Sequence, residues 1–239
     1  MIRLVATDLD GTLLDPQGHI SPRDAATLLD AARAGVRVVV ATGRPWRWLD
    51  CLAPLAGVAP LVIVSNGAAV YDLAGQRCVR RQALSTRLCD DLATDVRAVL
   101  PEAVFGLEQG DVFGCEPGWR STPPDASRTA EQESADTVRA PWSRLLADVG
   151  PVLKMLVLAP GSRVENLAAT VAEVAGERAV VTHSAAVGHA AMVEVSAAGV
   201  TKASALAQVC AELGVPRSEV AAFGDMPNDA DMLAWAGPR

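Results

Sequence analysis

Short apolar segments that end in polar residues predict the strands of a parallel sheet. The predicted strands cover residues 4–6, 36–40, 61–65 and 220–223. Apolar runs of this length, without alternation, are typical of strands buried on both faces. Helical periodicity over residues 19–34 joins the first two strands, and this order implies a right-handed parallel crossover. The pattern therefore predicts an α/β fold with ligands bound at the carboxyl ends of the strands.

Two carboxylates follow the first predicted strand. Asp8 and Asp10 are two residues apart, and alternation along a strand would place both on one face. Neighbouring carboxylates repel, and near an interior they need a partner. Mg²⁺ would supply one, because it prefers a few carboxylate oxygens and keeps positions for water or phosphate. Gly11 permits the turn that follows, and Thr12 offers a hydroxyl and an N–H to an anion.

The same stretch is compatible with simpler structures. Asp-x-Asp-Gly is common in plain turns that follow a strand. A calcium loop would need acidic residues at alternating positions and a Glu at its end, and the residues after Asp10 do not supply them. On its own, the stretch leaves a metal site and a plain turn as alternatives.

The second predicted strand ends in Ala41-Thr42-Gly43-Arg44. Thr42 can donate its hydroxyl to a phosphoryl oxygen, and Gly43 allows close approach of the backbone. We expect a helix to begin at Pro45 and to present its first N–H groups to an anion. A capped helix start without a ligand is the alternative.

Lys202 is notable because the chain has two lysines, the other being Lys154, among 21 basic residues. It opens a predicted helix, a place where the helix dipole disfavours a cation. Neutralisation of an anion is therefore favoured over the alternative of an ordinary surface lysine.

Acidic residues gather again after the strand at 220–223. Because carboxyl ends of parallel strands meet at one edge of a sheet, Asp225 is predicted to share a cation with Asp8. Asp229 would support this site from the first turn of the next helix, and Asn228 would hydrogen-bond phosphate.

The middle of the chain differs from both ends. Strands and helices alternate irregularly over residues 84–190, which predicts an α+β domain inserted into a core formed by residues 1–83 and 191–239. A long loop with a helical piece near Ala130 is predicted over residues 119–140, which are polar and lack a clear period. Ser162 is predicted to cap the helix that follows it.

The composition of the chain limits the classes of partner that we expect and the cellular compartment. No apolar run reaches eighteen residues, and no basic-then-apolar leader opens the chain, so neither a membrane span nor a signal peptide is expected. A net charge of −7 argues against a nucleic-acid groove. Five scattered cysteines without a CxxC indicate reduced thiols in the cytoplasm, not disulfides or a zinc site.

The motifs, in this order, resemble those of the haloacid dehalogenase superfamily of hydrolases, and in particular its Cof-type sugar-phosphatase branch with a C2B-type cap. The matching stretches are Asp8-Leu-Asp10-Gly11-Thr12, Ala41-Thr42-Gly43-Arg44, Gly199-Val-Thr-Lys202 and Gly224-Asp225-Met-Pro-Asn228-Asp229. Ala203 stands where the family usually has Gly. The resemblance implies a Rossmann-like, doubly wound parallel-sheet core with an inserted α+β cap that sets substrate choice.

The resemblance also implies roles for individual residues. Asp8 would attack phosphorus, and Asp10 would move protons. Mg²⁺ would be bound by Asp8, Asp225 and the backbone carbonyl of Asp10, with Asp229 in support. The phosphate site would include Thr12, Thr42, Gly43, Lys202 and Asn228.

These implications predict a Mg²⁺-dependent phosphatase that acts on a small phosphorylated metabolite, most simply a sugar phosphate, through an aspartyl-phosphate intermediate. Phosphoryl transfer to a second hydroxyl, as in phosphomutases, is one alternative. The chain ends fourteen residues after Asp225, earlier than its relatives. A truncated, non-catalytic phosphate-binding protein is therefore a second alternative, and a homodimer that covers an exposed sheet edge is a further expectation.

Overall fold

The structure, a computed structural model, describes residues 1–119, 135–148, 150–183 and 190–237. Two compact units emerge from the contacts: residues 1–81 together with 200–239, and residues 82–199. The sequence placed these boundaries at 83/84 and 190/191. The second boundary differs because residues 190–197 form a strand that pairs within the second unit.

The first unit is built on a six-stranded sheet in the order β12-β1-β2-β3-β4-β5. Its strands are β1 (Leu4–Thr7), β2 (Arg37–Ala41), β3 (Leu61–Val64), β4 (Ala69–Asp72), β5 (Arg77–Arg81) and β12 (Val220–Phe223). Strands β1, β2, β3 and β12 are parallel to one another, whereas β4 pairs antiparallel with β3 and β5 pairs antiparallel with β4. The chain leaves β1 on one side towards β2 and returns on the other side as β12. The carboxyl end of β1 is therefore the point at which strand order reverses, where such sheets bind ligands.

Two helices of the first unit begin directly after capping residues. Helix α1 (Pro22–Arg33) follows Ser21, whose hydroxyl accepts from the Asp24 N–H. The next helix of this unit spans Lys202–Glu212 and follows a capping box in which Thr201 and Ser204 bond reciprocally. A short helix, Ala230–Trp235, comes after β12. The capping box therefore fixes the backbone position from which the Lys202 side chain extends.

The segment after Pro45 is not the α-helix that the sequence predicts. It forms two 3-10 turns, Trp46–Trp48 and Asp50–Leu55. Pro54 lies inside the second turn and has no N–H to continue a helical ladder. The prediction of an α-helix that begins at Pro45 is therefore wrong, and anion binding at this segment stays a prediction.

The sequence Asn66-Gly67 after β3 predicts a hairpin turn, and this prediction is confirmed, since Val64 pairs with Ala69 antiparallel. Its loop includes two consecutive left-handed residues, Ser65 with φ of 51° and Asn66 with φ of 56°, a conformation that is costly for residues with a Cβ. Gly67 follows, and a Cβ there would lie 2.2 Å from the Thr201 carbonyl oxygen. The loop is thus held tightly against the start of the helix that carries Lys202.

The second unit has its own six-stranded sheet in the order β10-β11-β9-β6-β7-β8, antiparallel except between β7 and β8. The strands are β6 (Val104–Glu108), β7 (Phe113–Cys115), β8 (Thr137–Arg139), β9 (Lys154–Pro160), β10 (Ala179–His183) and β11 (Ala190–Ala197). Its helices are α2 (Thr86–Val99), α3 (Trp142–Ala147) and α4 (Val164–Ala175), so the helices at Lys202–Glu212 and Ala230–Trp235 are α5 and α6.

Buried residues from α2, α4 and one face of the sheet form the core of the second unit. Helix α4 begins after Arg163 without a side-chain cap, so the predicted Ser162 cap is wrong. Most of the predicted loop at 119–140, including the helical piece near Ala130, lies outside the described residues. The interpretation of this unit as a cap stays a prediction.

Strand β12 stands at one end of the first sheet, and 53% of Phe223 is exposed there. The homodimer expected at this edge stays a prediction. No helix in the described part of the chain combines the length and apolar character that a membrane crossing needs.

Candidate active site

The carboxylates that the sequence assigned to one cation meet in space. Asp8 follows β1, and its N–H donates to the Phe223 carbonyl at the end of β12, over 3.0 Å. Asp225 follows β12 and is exposed, whereas Asp8 and Asp229 are buried. One carboxylate oxygen from each of the three residues lies within 4.8 Å of the others. The parallel pairing of β1 with β12 thus joins residues more than two hundred positions apart.

Lys202 lies among these carboxylates. Its Nζ donates to Asp8 Oδ1 over 2.5 Å and to Asp229 Oδ1 over 2.7 Å, and all three side chains are almost fully buried. Two buried anions therefore share one buried cation, and the third ammonium hydrogen is not used in these two bonds. This is the neutralisation of an anion that the sequence predicts for Lys202, although the anions seen here are carboxylates of the protein.

Asp229 anchors the loop that carries Asp225. Its Oδ2 accepts from the N–H groups of Asp225 and Met226 over 3.2 and 3.0 Å. Gly224 is required at this turn, because a Cβ there would lie 2.6 Å from the Asp229 Cβ. The position of Asp225 thus depends on Asp229, as the sequence proposed for a supporting residue.

Thr12 contacts a different group from the one the sequence predicts. Its hydroxyl donates to Asp225 Oδ1 over 2.7 Å, and its N–H donates to the Leu9 carbonyl over 3.3 Å. Gly11 makes this approach possible with φ of 84°, since a Cβ there would lie 2.4 Å from Asp225 Oδ2. Both donors of Thr12 therefore have partners within the protein, and its geometry is that of a residue that orients Asp225.

Asn66 brings together three residues of the predicted phosphate site, which are Thr42, Gly43 and Asn228. Thr42 is buried, and its hydroxyl oxygen accepts from the Arg44 N–H over 3.0 Å, which leaves the hydroxyl hydrogen to serve another acceptor. Asn228 Nδ2 donates to Asn66 Oδ1 over 3.0 Å, and a Cβ on Gly43 would lie 3.1 Å from that same oxygen. The left-handed Asn66, read from sequence mainly as a turn residue, therefore links the second and fourth motifs.

Asp10 stands apart from the three clustered carboxylates. Strand β1 ends at Thr7, so the strand alternation that predicted a shared face with Asp8 does not extend to Asp10. Its side chain, 54% exposed, pairs with Arg44 instead. Sequence reasoning gave Arg44 no role; the signal available was an arginine in a short polar segment directly after a buried strand.

The environment of Asp8 raises its pKa from 3.8 to about 6. Burial is the largest cause, because a buried carboxylate loses its hydration, and Lys202 acts in the opposite direction. In the metal-free protein, ionised Asp8 therefore costs folding free energy. Since the folded pKa exceeds the unfolded one, the favourable contribution is complete below about pH 4 and is lost as the pH rises through about 6.

We expect this cost to appear as a pH-dependent stability difference. In EDTA, Asp8→Asn should be more stable than the wild-type protein, by a margin that grows between pH 4 and pH 7 to about 3 kcal/mol. Urea unfolding of both proteins across this range measures the margin. A margin independent of pH would show that the Asp8 carboxyl is not the group responsible.

The three clustered residues fit a hard divalent cation. Carboxylate oxygens are the donors that Mg²⁺ prefers, and Lys202 offsets one of the three negative charges, leaving about the charge that one divalent ion neutralises. The exposure of Asp225 opens the cluster to solvent on one side. The site can therefore hold a metal ion while an anionic ligand approaches.

A parallel α/β sheet that gathers carboxylates and a buried lysine at its switch point places the protein among the α/β folds that bind ligands at the carboxyl ends of their strands. Residues 5–238 match the haloacid dehalogenase-like hydrolases, and the chain belongs to this family. The family and the fold class predicted from the sequence are thereby confirmed.

Several known proteins are similar to this chain. An HMP-PP phosphatase from Serratia proteamaculans (strain 568) is 30% identical over 239 residues, which cover 99% of this chain and 82% of that protein. A haloacid dehalogenase-like hydrolase from B. subtilis superposes with a TM-score of 0.78 at 24% identity, covering 99% and 87% of the two chains. The subclass IIB sugar phosphatase BT4131 superposes with a TM-score of 0.73 at 19% identity, covering 98% and 85%. The predicted phosphatase activity agrees with the name of the Serratia relative, and the two solved structures show the same fold.

Proposed function

We propose that this protein is a Mg²⁺-dependent phosphatase that hydrolyses a small phosphorylated metabolite through an aspartyl-phosphate intermediate. The observation that carries the proposal is the meeting of Asp8, Asp225 and Asp229 at the switch point of the sheet, with Lys202 bound to Asp8 and Asp229. Several carboxylates rarely cluster in a buried site unless they have a function, because each carboxylate loses hydration there.

Asp8 is the nucleophile in this proposal. Its carboxylate attacks phosphorus in line, a bond forms between an Asp8 oxygen and phosphorus, and the bond from phosphorus to the substrate oxygen breaks. The departing oxygen takes a proton from Asp10. Water then attacks the phosphorus while Asp10 accepts a proton from it, and the bond to Asp8 breaks to give inorganic phosphate.

Asp8 and Asp225 would hold Mg²⁺, with Asp229 in support, and the Asp10 carbonyl joins them by resemblance to the family. When bound, the ion supplies electrostatic screening between the attacking carboxylate and the phosphoryl oxygens. Thr12 contributes by fixing the orientation of Asp225.

Thr42 and Lys202 bind the phosphoryl oxygens, where charge is spread in the transition state. The Thr42 hydroxyl hydrogen and the third Lys202 hydrogen are the donors for this role. Gly43 keeps the space beside them clear, and the second Nδ2 hydrogen of Asn228 supplies a further donor.

A small phosphate ester is the substrate class that we propose, because the relative at 30% identity is named for phosphatase activity on HMP-PP. A sugar phosphate is the first metabolite to try, since one neighbour of the same fold is named a sugar phosphatase.

Removal of the metal should abolish turnover. Treatment with EDTA should lower hydrolysis of p-nitrophenyl phosphate at least about 100-fold, and added Mg²⁺ should restore it. Asp225→Asn should raise the Mg²⁺ concentration needed for half-maximal activity by about 10- to 100-fold. Release of p-nitrophenolate during a Mg²⁺ titration measures both effects.

Asp231→Asn is the matched control, since Asp231 is an exposed residue in the first turn of α6 and lies outside the carboxylate cluster. It should titrate with Mg²⁺ like the wild-type protein. Full activity in EDTA would refute the metal dependence, and absence of turnover of any phosphate ester in Mg²⁺ would refute the proposed function.

A further inference from the structure

Arg44 is held in place by its own backbone and by burial. Its N–H donates to Thr42 Oγ1 over 3.0 Å, and its carbonyl accepts from the Ser65 N–H over 2.9 Å. Only 7% of the side chain is exposed. The guanidinium thus starts from a fixed point directly after β2, next to the predicted phosphate-binding residue Thr42.

The guanidinium binds Asp10 through two of its nitrogens. Nη2 donates to Asp10 Oδ1 over 2.6 Å, and Nε lies 3.1 Å from Oδ1 and 3.0 Å from Oδ2. Nη1 donates to the Trp48 carbonyl over 3.4 Å. A planar guanidinium that is anchored at both ends fixes the plane of the carboxylate that it binds.

The pair is asymmetric in burial, since Arg44 is buried and Asp10 is more than half exposed. Water can hydrate the exposed carboxylate of Asp10, so the ion pair with Arg44 is not needed to solvate its charge. An exposed aspartate that follows a turn would otherwise sample several rotamers. The contact with Arg44 therefore fixes a single orientation of the Asp10 carboxyl group, which solvent cannot do.

We propose that Arg44 is a positioning residue that holds Asp10 in the orientation needed for proton transfer to the leaving oxygen. This inference rests on the proposed function. It gives Arg44 no contact with the phosphoryl group, so its effect must pass through Asp10. In the step that forms the aspartyl phosphate, substrates whose leaving group needs no proton should therefore be little affected by its loss.

Leaving-group dependence tests the proposal. Arg44→Met should lower kcat/KM, which reports formation of the aspartyl phosphate, about 100-fold for an alkyl phosphate such as glycerol 2-phosphate, whose alkoxide must be protonated as it departs. The same variant should lower kcat/KM less than about 5-fold for 2,4-dinitrophenyl phosphate, whose phenolate leaves without a proton. Asp10→Asn should show the same pattern, and Arg44→Met combined with Asp10→Asn should lose little more than Asp10→Asn alone.

Two further variants separate positioning from folding. Arg44→Lys keeps the charge but not the two-nitrogen contact, so it should lie between Arg44→Met and wild type with glycerol 2-phosphate. Arg33→Met breaks an exposed pair with Asp30 on α1 and should behave as wild type. If Arg44→Met does not fold, Arg44→Lys with and without Asp10→Asn supplies the same comparison.

Equal losses in kcat/KM on both substrates, or a gain on glycerol 2-phosphate, would overturn the role of Arg44 while leaving the phosphatase intact. If the wild-type protein hydrolyses neither substrate in Mg²⁺, the proposed function fails and this inference fails with it.

Discussion

Asp8→Asn should reduce the hydrolysis of p-nitrophenyl phosphate at least about 1,000-fold in saturating Mg²⁺. An amide oxygen is too weak a nucleophile to attack phosphorus, and the other two carboxylates of the cluster are held in other positions. The carboxylate of Asp229 accepts hydrogen bonds from Lys202 and from two backbone N–H groups. Asp225 follows a different strand, and Thr12 donates a hydrogen bond to its carboxylate. The loss should therefore fall on kcat, as measured by steady-state release of p-nitrophenolate.

The control for this variant is Asp30→Asn, which alters an exposed carboxylate on α1 that pairs with Arg33. It should retain wild-type turnover. Thermal unfolding should show that Asp8→Asn is folded, since burial of the ionised Asp8 is unfavourable in the metal-free protein. Turnover close to wild type in Asp8→Asn would remove Asp8 from the role of nucleophile.

Lys202→Met should damage both folding and activity. Met is similar in length but leaves Asp8 and Asp229 without their shared cation, and a buried pair that loses one partner costs about 3–5 kcal/mol. We expect a loss of this size in the unfolding free energy at pH 8 in EDTA, measured by urea denaturation. Mg²⁺ should recover part of the loss, because the ion would neutralise the same two carboxylates.

Turnover of p-nitrophenyl phosphate by Lys202→Met should fall at least about 100-fold even in saturating Mg²⁺, because a donor to the phosphoryl oxygens is gone. Lys154→Met is the matched control, since Lys154 forms a buried pair with Glu194 over 2.8 Å in the second unit. Its stability should fall without recovery by Mg²⁺. Equal recovery by Mg²⁺ in both variants would mean that the ion does not act at the Lys202 site.

Much of the first unit was predictable because its signals are local. The strand at Val220–Phe223 and the helix starts after Ser21 and Thr201 follow from apolar runs and capping residues a few positions apart. The placement of Asp8 and Asp225 on one site followed from one topological rule, that carboxyl ends of parallel strands meet at an edge.

The predictions that failed are those in which a local pattern competes with packing. Pro45 and the residues after it resemble a helix start, yet Trp46 stacks on Tyr71 at 5.6 Å and the backbone makes 3-10 turns. Ser162 resembles a cap, yet α4 begins after Arg163 without one. In each case the local preference amounts to about 1 kcal/mol, which is too small to fix the structure by itself.

The sequence by itself determined the α/β class, the order of the strands that carry the acidic motifs, and the identity of the carboxylates and the lysine that meet. These depend on residue type and spacing, which a chain displays along its length. Only the tertiary structure decided that Thr12 binds Asp225, that Asn66 links Gly43 to Asn228, and that Arg44 holds Asp10. Those contacts depend on side-chain directions at turns after β1, β2, β3 and β12, where no periodicity constrains the direction in which a side chain leaves the backbone.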